Sequence, residues 1–294
     1  MDYRDVMDAA RDVEHTRLDP SDILVTDQVA VVTGGGSGIG LGVALGLARF
    51  GADVAVLDVD ASRCAAAEEA LAGYARRSAA IVCDVTEGEA LREAIADIAD
   101  RWGRMDILVN NAGGVRGGPF LTQPDRSIRR HIDLNLTSML VATHEATQRM
   151  IDGGRGGAIV NVSSIEGSRA APLYAVYAAC KAAMINFTQT MALELAEHGI
   201  RVNCISPDHT ITPGMRGNRA GPVDPSSWAD SSPEYAKVIP LGREGVVDEC
   251  AATVIWLCSK MSAYVTGANI PVDGGTSAAA GWQRTASGEW TWGL

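Results

Sequence analysis

Tyr177 and Lys181 are the two residues of this 294-residue chain whose types and spacing most directly suggest catalysis. They stand four residues apart in a predicted helix that begins near Leu173, so they share one face of it. An ammonium group beside a phenol favours the phenolate and lowers a tyrosine pKa that starts at about 10. Such a phenol can exchange a proton with an alcohol or a carbonyl oxygen. The spacing also arises by chance, and a cation beside a surface ring is the alternative.

Two further polar residues can join this pair. Ser164 ends a predicted strand over 158–164, thirteen residues before Tyr177, and its hydroxyl can bond the same substrate oxygen. Asn135 lies between two leucines in a predicted helix over 125–150. An amide in such surroundings must satisfy its donors and its acceptor, either in a structural hydrogen bond or by holding a water molecule.

A glycine-rich stretch over 33–40, TGGGSGIG, connects a predicted strand over 29–32 to a helical pattern over 41–50. Glycines let the backbone come close to a pyrophosphate, and the first amides of the following helix face the anion. A tight strand-to-helix turn without a ligand is the alternative. The predicted cofactor contacts of this loop are Gly34, Ser37, Gly38, Ile39 and Gly40.

Asp58 ends the second predicted strand, over 52–58, eighteen residues after Gly40. Its carboxylate can accept hydrogen bonds from a ribose diol and would repel a 2′-phosphate. Position 37, where a basic residue could have met that phosphate, is serine. We therefore expect NAD(H), not NADP(H). Alternatively, Asp58 caps the next helix, a role that Asp60 could also fill.

Two more predicted strands end in polar turns. Asp84 and Val85 follow the strand over 79–83, and Asp84 can bond an adenine amino group, cap the helix that starts near Glu87, or do both. The turn NNAG over 110–113 follows the fourth strand and can hold backbone close to a cofactor. Its predicted cofactor contacts are Asn111, Ala112 and Gly113.

Composition narrows the possible partners and compartments. The net charge is −11 and no basic cluster stands out, so nucleic acid and anionic membrane surfaces are not expected partners. No apolar run is long enough to span a membrane, and the N-terminus lacks a signal-peptide layout, which predicts a cytoplasmic protein. The six cysteines show no CxxC spacing, so we expect reduced core residues and no metal site.

The sequence predicts one domain over 28–276, with an extension on each side. Residues 1–27 contain a short amphipathic helix, and residues 213–240 are irregular, which is typical of a substrate lid. The tail over 277–294 is rich in tryptophan. We expect it to pack on another subunit or over an active-site entrance, and the first is preferred.

Taken together, these segments resemble the short-chain dehydrogenase/reductase family. The resemblance covers residues 29–275 and implies a doubly wound α/β Rossmann fold, with a seven-stranded, mainly parallel sheet of order 3-2-1-4-5-6-7. The motifs that carry it follow the family's order: Thr33-Gly34-x-x-x-Gly38-x-Gly40, Asp58, Asp84, Asn110-Asn111-Ala112-Gly113, Asn135, Ser164 and Tyr177-x-x-x-Lys181.

The resemblance implies hydride transfer between NAD(H) and a secondary alcohol or ketone. Tyr177 would be the general acid/base and Ser164 would hold the substrate oxygen. Lys181 would lower the tyrosine pKa and bind the nicotinamide ribose, and Asn135 would position a water. Tyr174 is the other candidate base, but residue 178, four positions beyond it, is alanine and not lysine.

The segment over 207–212 departs from the family pattern. Relatives commonly have Pro-Gly here, whereas this chain has Pro207-Asp208, and an aspartate in that place alters the backbone or the charge near the nicotinamide. The predicted cofactor contacts are Pro207, Thr210 and Thr212. The adjacent His209 is interpreted as a loop-exposed or capping residue and not as an acid/base.

Substrate contacts and assembly are the least constrained by sequence. The candidate contacts are Glu166, Tyr174, Met215 and Trp228. Alanines after Tyr177 would allow the close helix contacts through which relatives form dimers and tetramers, so a homotetramer or homodimer is expected. A 3-oxoacyl-thioester reductase and a non-catalytic nucleotide-binding scaffold are the alternative functions.

Overall fold

The computed structural model describes residues 18–74, 77–212 and 235–292. Most of the predicted N-terminal helix lies outside these residues, as do Met215 and Trp228 of the predicted lid. Seven parallel strands form the central sheet, in the order 3-2-1-4-5-6-7 that we predicted. They are β1 (Val29–Thr33), β2 (Asp53–Asp58), β3 (Ser78–Val82), β4 (Ile107–Asn110), β5 (Gly157–Val162), β6 (Ile200–Pro207) and β7 (Asn269–Val272).

Helices cover both faces of this sheet. The longer ones are α1 (Gly38–Arg49), α2 (Ala61–Ala72), α3 (Gly88–Trp102), α4 (Asp125–Ile132), α5 (Ser138–Gly153), α6 (Ala175–Glu194) and α7 (Val247–Cys258). Single turns of helix occur at Pro20–Ile23, Phe120–Thr122, Ile165–Gly167, Ala196–His198, Tyr235–Val238, Lys260–Ser262 and Thr276–Ala279. Two-residue strands, Thr210–Ile211 and Gly245–Val246, pair separately.

The apolar run of β1 explains why this strand is central. Ala30 and Val32 pack with α1 and α7, whereas Val29 and Val31 pack with α3 and α5 on the opposite face. All five residues of the strand are buried. A parallel strand covered on both faces has no solvent side, so its sequence is continuously apolar and does not alternate.

The predicted helix over 125–150 is not continuous. A π-helical turn, Asp133–Thr137, separates α4 from α5. Such turns are rare and occur frequently at functional sites, because the extra residue changes the direction of the side chains that follow. Asn135 is the buried residue of this turn.

The prediction that the cysteines are core residues is confirmed, since all six are buried, and none of them is paired with another. Within the described residues, no helix is both long and apolar enough to cross a membrane.

The tail forms an antiparallel hairpin of β8 (Trp282–Arg284) and β9 (Trp290–Trp292). Trp282 and Trp292 meet edge to face, with their ring centroids 5.7 Å apart. The tryptophans of the hairpin remain about half exposed. Its first strand lies against the turn Tyr235–Val238, which ends the predicted lid, so the aromatic surface is on the lid side of the molecule.

Candidate active site

A cavity of about 670 Å³ opens at the carboxyl ends of the central strands. Most of the predicted site residues line it: Gly34, Ser37, Gly38, Ile39, Asp58, Asp84, Val85, Asn111, Ala112, Gly113, Ser164, Tyr177, Lys181, Pro207, Thr210 and Thr212. Gly40, Asn135, Glu166 and Tyr174 are not part of the lining. The sheet topology brings the lining residues together, because parallel strands end at the same edge of a sheet.

The glycine loop after β1 requires its glycines for two different reasons. Gly34 has a φ of +62°, and a Cβ there would lie 2.9 Å from Ala112 Cα. A Cβ at Gly40 would collide with the Gly34 carbonyl oxygen and with Asn111 Nδ2. Gly34 is thus a turn residue, whereas Gly40 permits close packing and does not line the cavity.

The N-terminus of α1 faces the cavity without a side-chain cap. Ser37 is the N-cap residue, yet its side chain makes no capping hydrogen bond. The first amides of a helix need an acceptor, and the helix dipole favours an anion there. The uncapped end of this twelve-residue helix therefore fits a pyrophosphate group.

Asp58 is fixed at the end of β2 by backbone amides. Its Oδ2 accepts a hydrogen bond from the Gly36 amide at 3.0 Å, and its Oδ1 accepts one from Asp60 at 3.1 Å. Asp60 is the N-cap of α2 and accepts from the amides of Ser62 and Arg63. The alternative that Asp58 caps this helix is therefore wrong. Its carboxylate has further lone pairs, which a ribose diol could use.

Arg63 is a cavity residue that the sequence analysis missed. It lines the cavity together with Asp58 and Val59. The sequence analysis considered a phosphate-binding cation only at position 37, inside the glycine loop. Arg63 is the third residue of α2. The first turn of the helix that follows β2 lies at the same sheet edge as the cavity, so this position was a usable signal.

Asp84 closes a turn and does not cap α3. Its Oδ1 accepts hydrogen bonds from the Thr86 amide at 3.0 Å and from Thr86 Oγ1 at 2.7 Å. These bonds hold the pKa of the Asp84 carboxyl below its usual value. The N-cap of α3 is Glu87, which makes no side-chain capping bond. The capping alternative is therefore wrong, and Asp84 remains exposed beside the cavity.

The NNAG turn is bound directly to the glycine loop. Thr33 Oγ1 accepts hydrogen bonds from the amides of Asn111 and Ala112, each at 3.1 Å. Asn111 Nδ2 donates to the carbonyl oxygens of Thr33 and Gly34, each at 3.0 Å. The Asn111 side chain therefore holds the two loops together, and only its backbone side remains for a ligand.

A buried hydrogen-bonded ladder crosses the sheet below the site. Asn110 Nδ2 donates to Thr143 Oγ1 at 2.9 Å and to Asn161 Oδ1 at 2.8 Å. Asn161 Nδ2 in turn donates to Thr188 Oγ1 at 2.9 Å. The ladder joins α5, β4, β5 and α6. This ladder was not predicted from the sequence, although Asn161, a polar residue inside the apolar strand β5, indicates a buried hydrogen-bond network.

Asn135 connects the π-helical turn to the loop after β4. Its Oδ1 accepts from the Gly114 amide at 3.0 Å. Its Nδ2 donates to the carbonyl oxygens of Gly114 at 2.9 Å and His131 at 3.0 Å. Both amide protons are used inside the protein, so the side chain makes the structural hydrogen bonds that were one of the two predicted alternatives.

Lys181 is a buried residue of α6, one helical turn after Tyr177. Its Nζ is 5.5 Å from the centroid of the Tyr177 ring and donates to the Val162 carbonyl oxygen at 2.7 Å. Ser163 Oγ donates to the Lys181 carbonyl oxygen at 2.9 Å. Burial lowers the pKa of Lys181 to about 8. This cation is therefore desolvated, and it is directed along the end of β5.

The pKa of Tyr177 moves in the direction opposite to the one expected. Burial raises it most, and the charge of Glu166 raises it further. The hydrogen bond with the Ser164 hydroxyl lowers it. Lys181 does not produce the expected lowering, since its ammonium lies over the ring and is bonded to Val162. Tyr177 and Ser164 nevertheless line the same cavity.

Comparison with known proteins identifies the family. A family model described as Enoyl-(Acyl carrier protein) reductase matches residues 34–277. The oxidoreductase UcpA of Escherichia coli strain K12 is 37% identical over 256 residues, which cover 86% of this chain and 95% of UcpA. The chain belongs to the short-chain dehydrogenase/reductase family.

Two other members of the short-chain dehydrogenase/reductase family indicate its chemistry. Cyclohexanol dehydrogenase of Rhodococcus sp. strain TK6 is 36% identical over 265 residues, which cover 84% of this chain and 95% of that one. Carveol dehydrogenase from Mycobacterium avium, solved in complex with NAD, has a TM-score of 0.77 and 30% identity, covering 86% and 98% of the two chains. The protein is an oxidoreductase of the alcohol dehydrogenase class.

The segment after β6 is where this member of the short-chain dehydrogenase/reductase family is unusual. Thr210 is buried, and its Oγ1 donates to the Asp208 carbonyl oxygen at 3.2 Å. The Asp208 carboxylate lies 3.9 Å from Arg169 Nη2. His209 lines a neighbouring cavity and packs on Tyr235, with the ring centroids 4.8 Å apart. The prediction that it is loop-exposed or capping is wrong, because it is half-buried against that ring.

The four predicted substrate contacts divide into two groups. Met215 and Trp228 lie outside the described residues. Tyr174 stands beside Gly117, where a Cβ would lie 2.7 Å from its ring, and it is turned away from the cavity. Glu166 accepts a hydrogen bond from Arg169 Nη2 at 2.9 Å, and its charge acts on Tyr177. Of the described pair, Glu166 is therefore the one beside the reacting groups.

Proposed function

We propose that this short-chain dehydrogenase/reductase transfers a hydride between NAD(H) and a secondary alcohol or ketone, with Tyr177 as general acid/base. The observation that carries the proposal is that Tyr177, Ser164 and Lys181 line one cavity together with the glycine loop. A non-catalytic scaffold has no need of these three side chains together.

In this mechanism the bound dinucleotide supplies the hydride acceptor or donor. Ser164 Oγ holds the substrate oxygen, and Tyr177 Oη removes its proton during alcohol oxidation or returns it during ketone reduction. Lys181 Nζ lies 5.5 Å from the centroid of the Tyr177 ring and lines the same cavity, where it would hold the nicotinamide ribose. Asn135 acts as a positioning residue, since its amide fixes the loop that borders the site.

The cofactor preference is a separate part of the proposal. The Asp58 carboxylate supports NAD(H), because it can accept from a ribose diol and repels a 2′-phosphate. Arg63 is an observation on the other side, since its guanidinium lies in the same lining as Asp58 and could bind a phosphate. Fluorescence titration with NADH and NADPH distinguishes the two: we expect NADH to bind at least tenfold more tightly, and tighter NADPH binding would reverse the assignment.

The reaction itself is tested with a panel of secondary alcohols that includes cyclohexanol. We expect Tyr177→Phe to lose at least a hundredfold in kcat/KM while it binds NADH within about threefold of the wild-type affinity. Tyr174→Phe is the matched control and should retain turnover. An inert wild-type protein would favour the scaffold, and preferred turnover of a 3-oxoacyl thioester would favour that alternative.

We also propose that the protein is a cytoplasmic homotetramer or homodimer. The reduced state of its cysteines supports the compartment. The exposed face of α6 supports the assembly, because Ala179 and Ala182 leave room for a second helix to approach. The half-exposed hairpin tryptophans are a second candidate contact between subunits.

A further inference from the structure

We infer that Glu166, Arg169 and Asp208 form a subsite for a second hydroxyl group of the substrate, next to the carbinol that reacts. The preferred substrate class would then be a diol or hydroxyketone without an anionic group near the second hydroxyl. The inference rests on the proposed function, since it takes Ser164 and Tyr177 as the groups that hold the reacting oxygen.

Position is the first argument for this subsite. Glu166 lies in the turn Ile165–Gly167, directly after Ser164, and its amide donates to Ser164 Oγ at 3.2 Å. Asp208 follows β6 and lines the same cavity as Ser164 and Tyr177. Arg169 connects the two segments, at 2.9 Å from Glu166 and 3.9 Å from Asp208. A charged cluster therefore borders the reacting end of the cavity.

The carboxylate of Asp208 provides the second argument. Its side chain is only 8% exposed, and within the described residues neither of its oxygens accepts a hydrogen bond, the nearest partner being Arg169 at 3.9 Å. Nearby Asp273 differs, because its oxygens accept from the amides of Gly275 and Ser277. The Asp208 carboxylate lines the cavity, so a substrate O–H there could donate to an oxygen that no protein group uses as a hydrogen-bond acceptor in the described residues.

The kind of ligand follows from what the cluster offers. Asp208 presents acceptors in the cavity lining. Arg169, which pairs with both Asp208 and Glu166, has guanidinium N–H groups beyond the one that bonds Glu166. A hydroxyl group both donates and accepts, so it matches this combination. A hydrocarbon would leave Asp208 without a donor, and a ketone oxygen could use only Arg169.

Charge excludes another class of ligand. Arg169 is surrounded by the negative charges of Glu166, Asp208 and Asp273. Three carboxylates against one guanidinium make the cluster net negative. A carboxylate or phosphate group on the substrate would be repelled there, so the substrate should carry no anionic group at this end.

The test compares cyclohexanol with cis- and trans-cyclohexane-1,2-diol, which differ by one hydroxyl group. With NAD⁺ we expect wild-type kcat/KM to be about ten- to a hundredfold higher for one diol isomer than for cyclohexanol. Asp208→Ala should reduce this ratio to about threefold or less. Glu166→Gln should reduce it in part. The surface variant Asp97→Ala should keep the wild-type ratio.

Two results would overturn the subsite without affecting the proposed function. One is turnover of cyclohexanol and both diols at equal kcat/KM, and the other is an unchanged ratio in Asp208→Ala. Circular dichroism and NADH affinity check that the variants are folded, and Asp208→Asn serves if the alanine variant is not.

If no alcohol is oxidised, the proposed function fails. Calorimetry with NADH present then decides the subsite: diol binding that Asp208→Ala abolishes supports it, and absent binding contradicts it.

Discussion

Two neighbours act on the Tyr177 phenol in opposite directions. A hydrogen bond with the Ser164 hydroxyl lowers the pKa of the phenol, and the negative charge of Glu166 raises it. Burial raises this pKa more than either neighbour changes it. The free protein therefore holds this tyrosine protonated over a wider pH range than a tyrosine in water. Alcohol oxidation needs the phenolate, so its rate should rise with pH through the pKa of Tyr177.

Substitution of each neighbour should move the Tyr177 pKa in a defined direction. Glu166→Gln removes a negative charge and lowers the pKa, because the phenolate is then repelled less. Ser164→Ala removes the hydrogen bond and raises it. Carbon-13 NMR of labelled tyrosine follows the titration, with Tyr177→Phe identifying the resonance. A rise in Glu166→Gln would contradict the assignment of this charge.

A second residue-level prediction concerns the stability cost of Lys181. Its pKa falls from 10.5 to about 8 on burial, so below about pH 8 the folded state carries the full cost of a buried cation. As pH rises towards 10.5, the folded state has lost the proton that the unfolded state still binds, and stability rises. Lys181→Met lacks this dependence. The free energy of unfolding of Lys181→Met, relative to that of the wild type, should therefore fall by on the order of 3 kcal/mol over that pH range.

Urea unfolding at several pH values measures this difference. Exposed Lys260 provides the control, since Lys260→Met should differ from wild type by the same amount at every pH. A constant difference for Lys181→Met as well would mean that its ammonium is not desolvated in the folded protein.

At the scale of elements, the π-helical turn is the feature that shapes the site. It directs the Asn135 amide inward, where it bonds both the N–H and the C=O of Gly114. That loop also borders Lys181, because a Cβ at Gly113 would lie 3.6 Å from its Nζ. The turn thus supports the position of the loop between the cofactor-binding and catalytic groups.

Asn135→Leu should destabilise the protein by about 2–4 kcal/mol, because it removes the three hydrogen bonds that the buried Asn135 amide makes with Gly114 and His131. Thr137→Ala, at an exposed position of the same turn, should change stability by less than about 0.5 kcal/mol. The midpoints of urea unfolding compare the two. Equal midpoints would show that the Asn135 hydrogen bonds contribute nothing net.

At the scale of the whole molecule, the exposed face of α6 is the candidate contact between subunits. The net charge of −11 opposes non-specific association of separate molecules, whereas α6 offers a face with small side chains and little charge. Its exposed residues include Ala179, Ala182 and Leu193, and Leu193 is 81% exposed. So exposed a leucine, next to alanines, is typical of a face that another helix covers.

Ala182→Arg should convert the assembly to a smaller species, because a long charged side chain prevents close helix contact. Sedimentation velocity measures the change, and circular dichroism checks the fold. Ala66→Arg, at an exposed position of α2, is the matched control and should leave the assembly intact. A wild-type protein that sediments as a monomer would refute the proposed assembly.

The sequence by itself determined the strands of the sheet, and its resemblance to the short-chain dehydrogenase/reductase family implied the strand order that the structure confirms. The strands predicted over 29–32, 52–58, 79–83 and 158–164 agree with the structure to within two residues, since a buried parallel strand is a continuous apolar run. The glycine loop and the four-residue spacing of Tyr177 and Lys181 are local signals of the same kind. Local periodicity and steric demand are written in adjacent residues, so they can be read without coordinates.

Only the tertiary structure decided how these groups are tuned. The raised pKa of Tyr177 depends on burial. Arg63 beside Asp58 and Arg169 between Glu166 and Asp208 depend on segments that fold next to each other. The break in the helix over 125–150 is set by packing against the loop after β4. Electrostatic effects fall with distance in space and not with separation along the chain, which is why the sequence alone did not contain them.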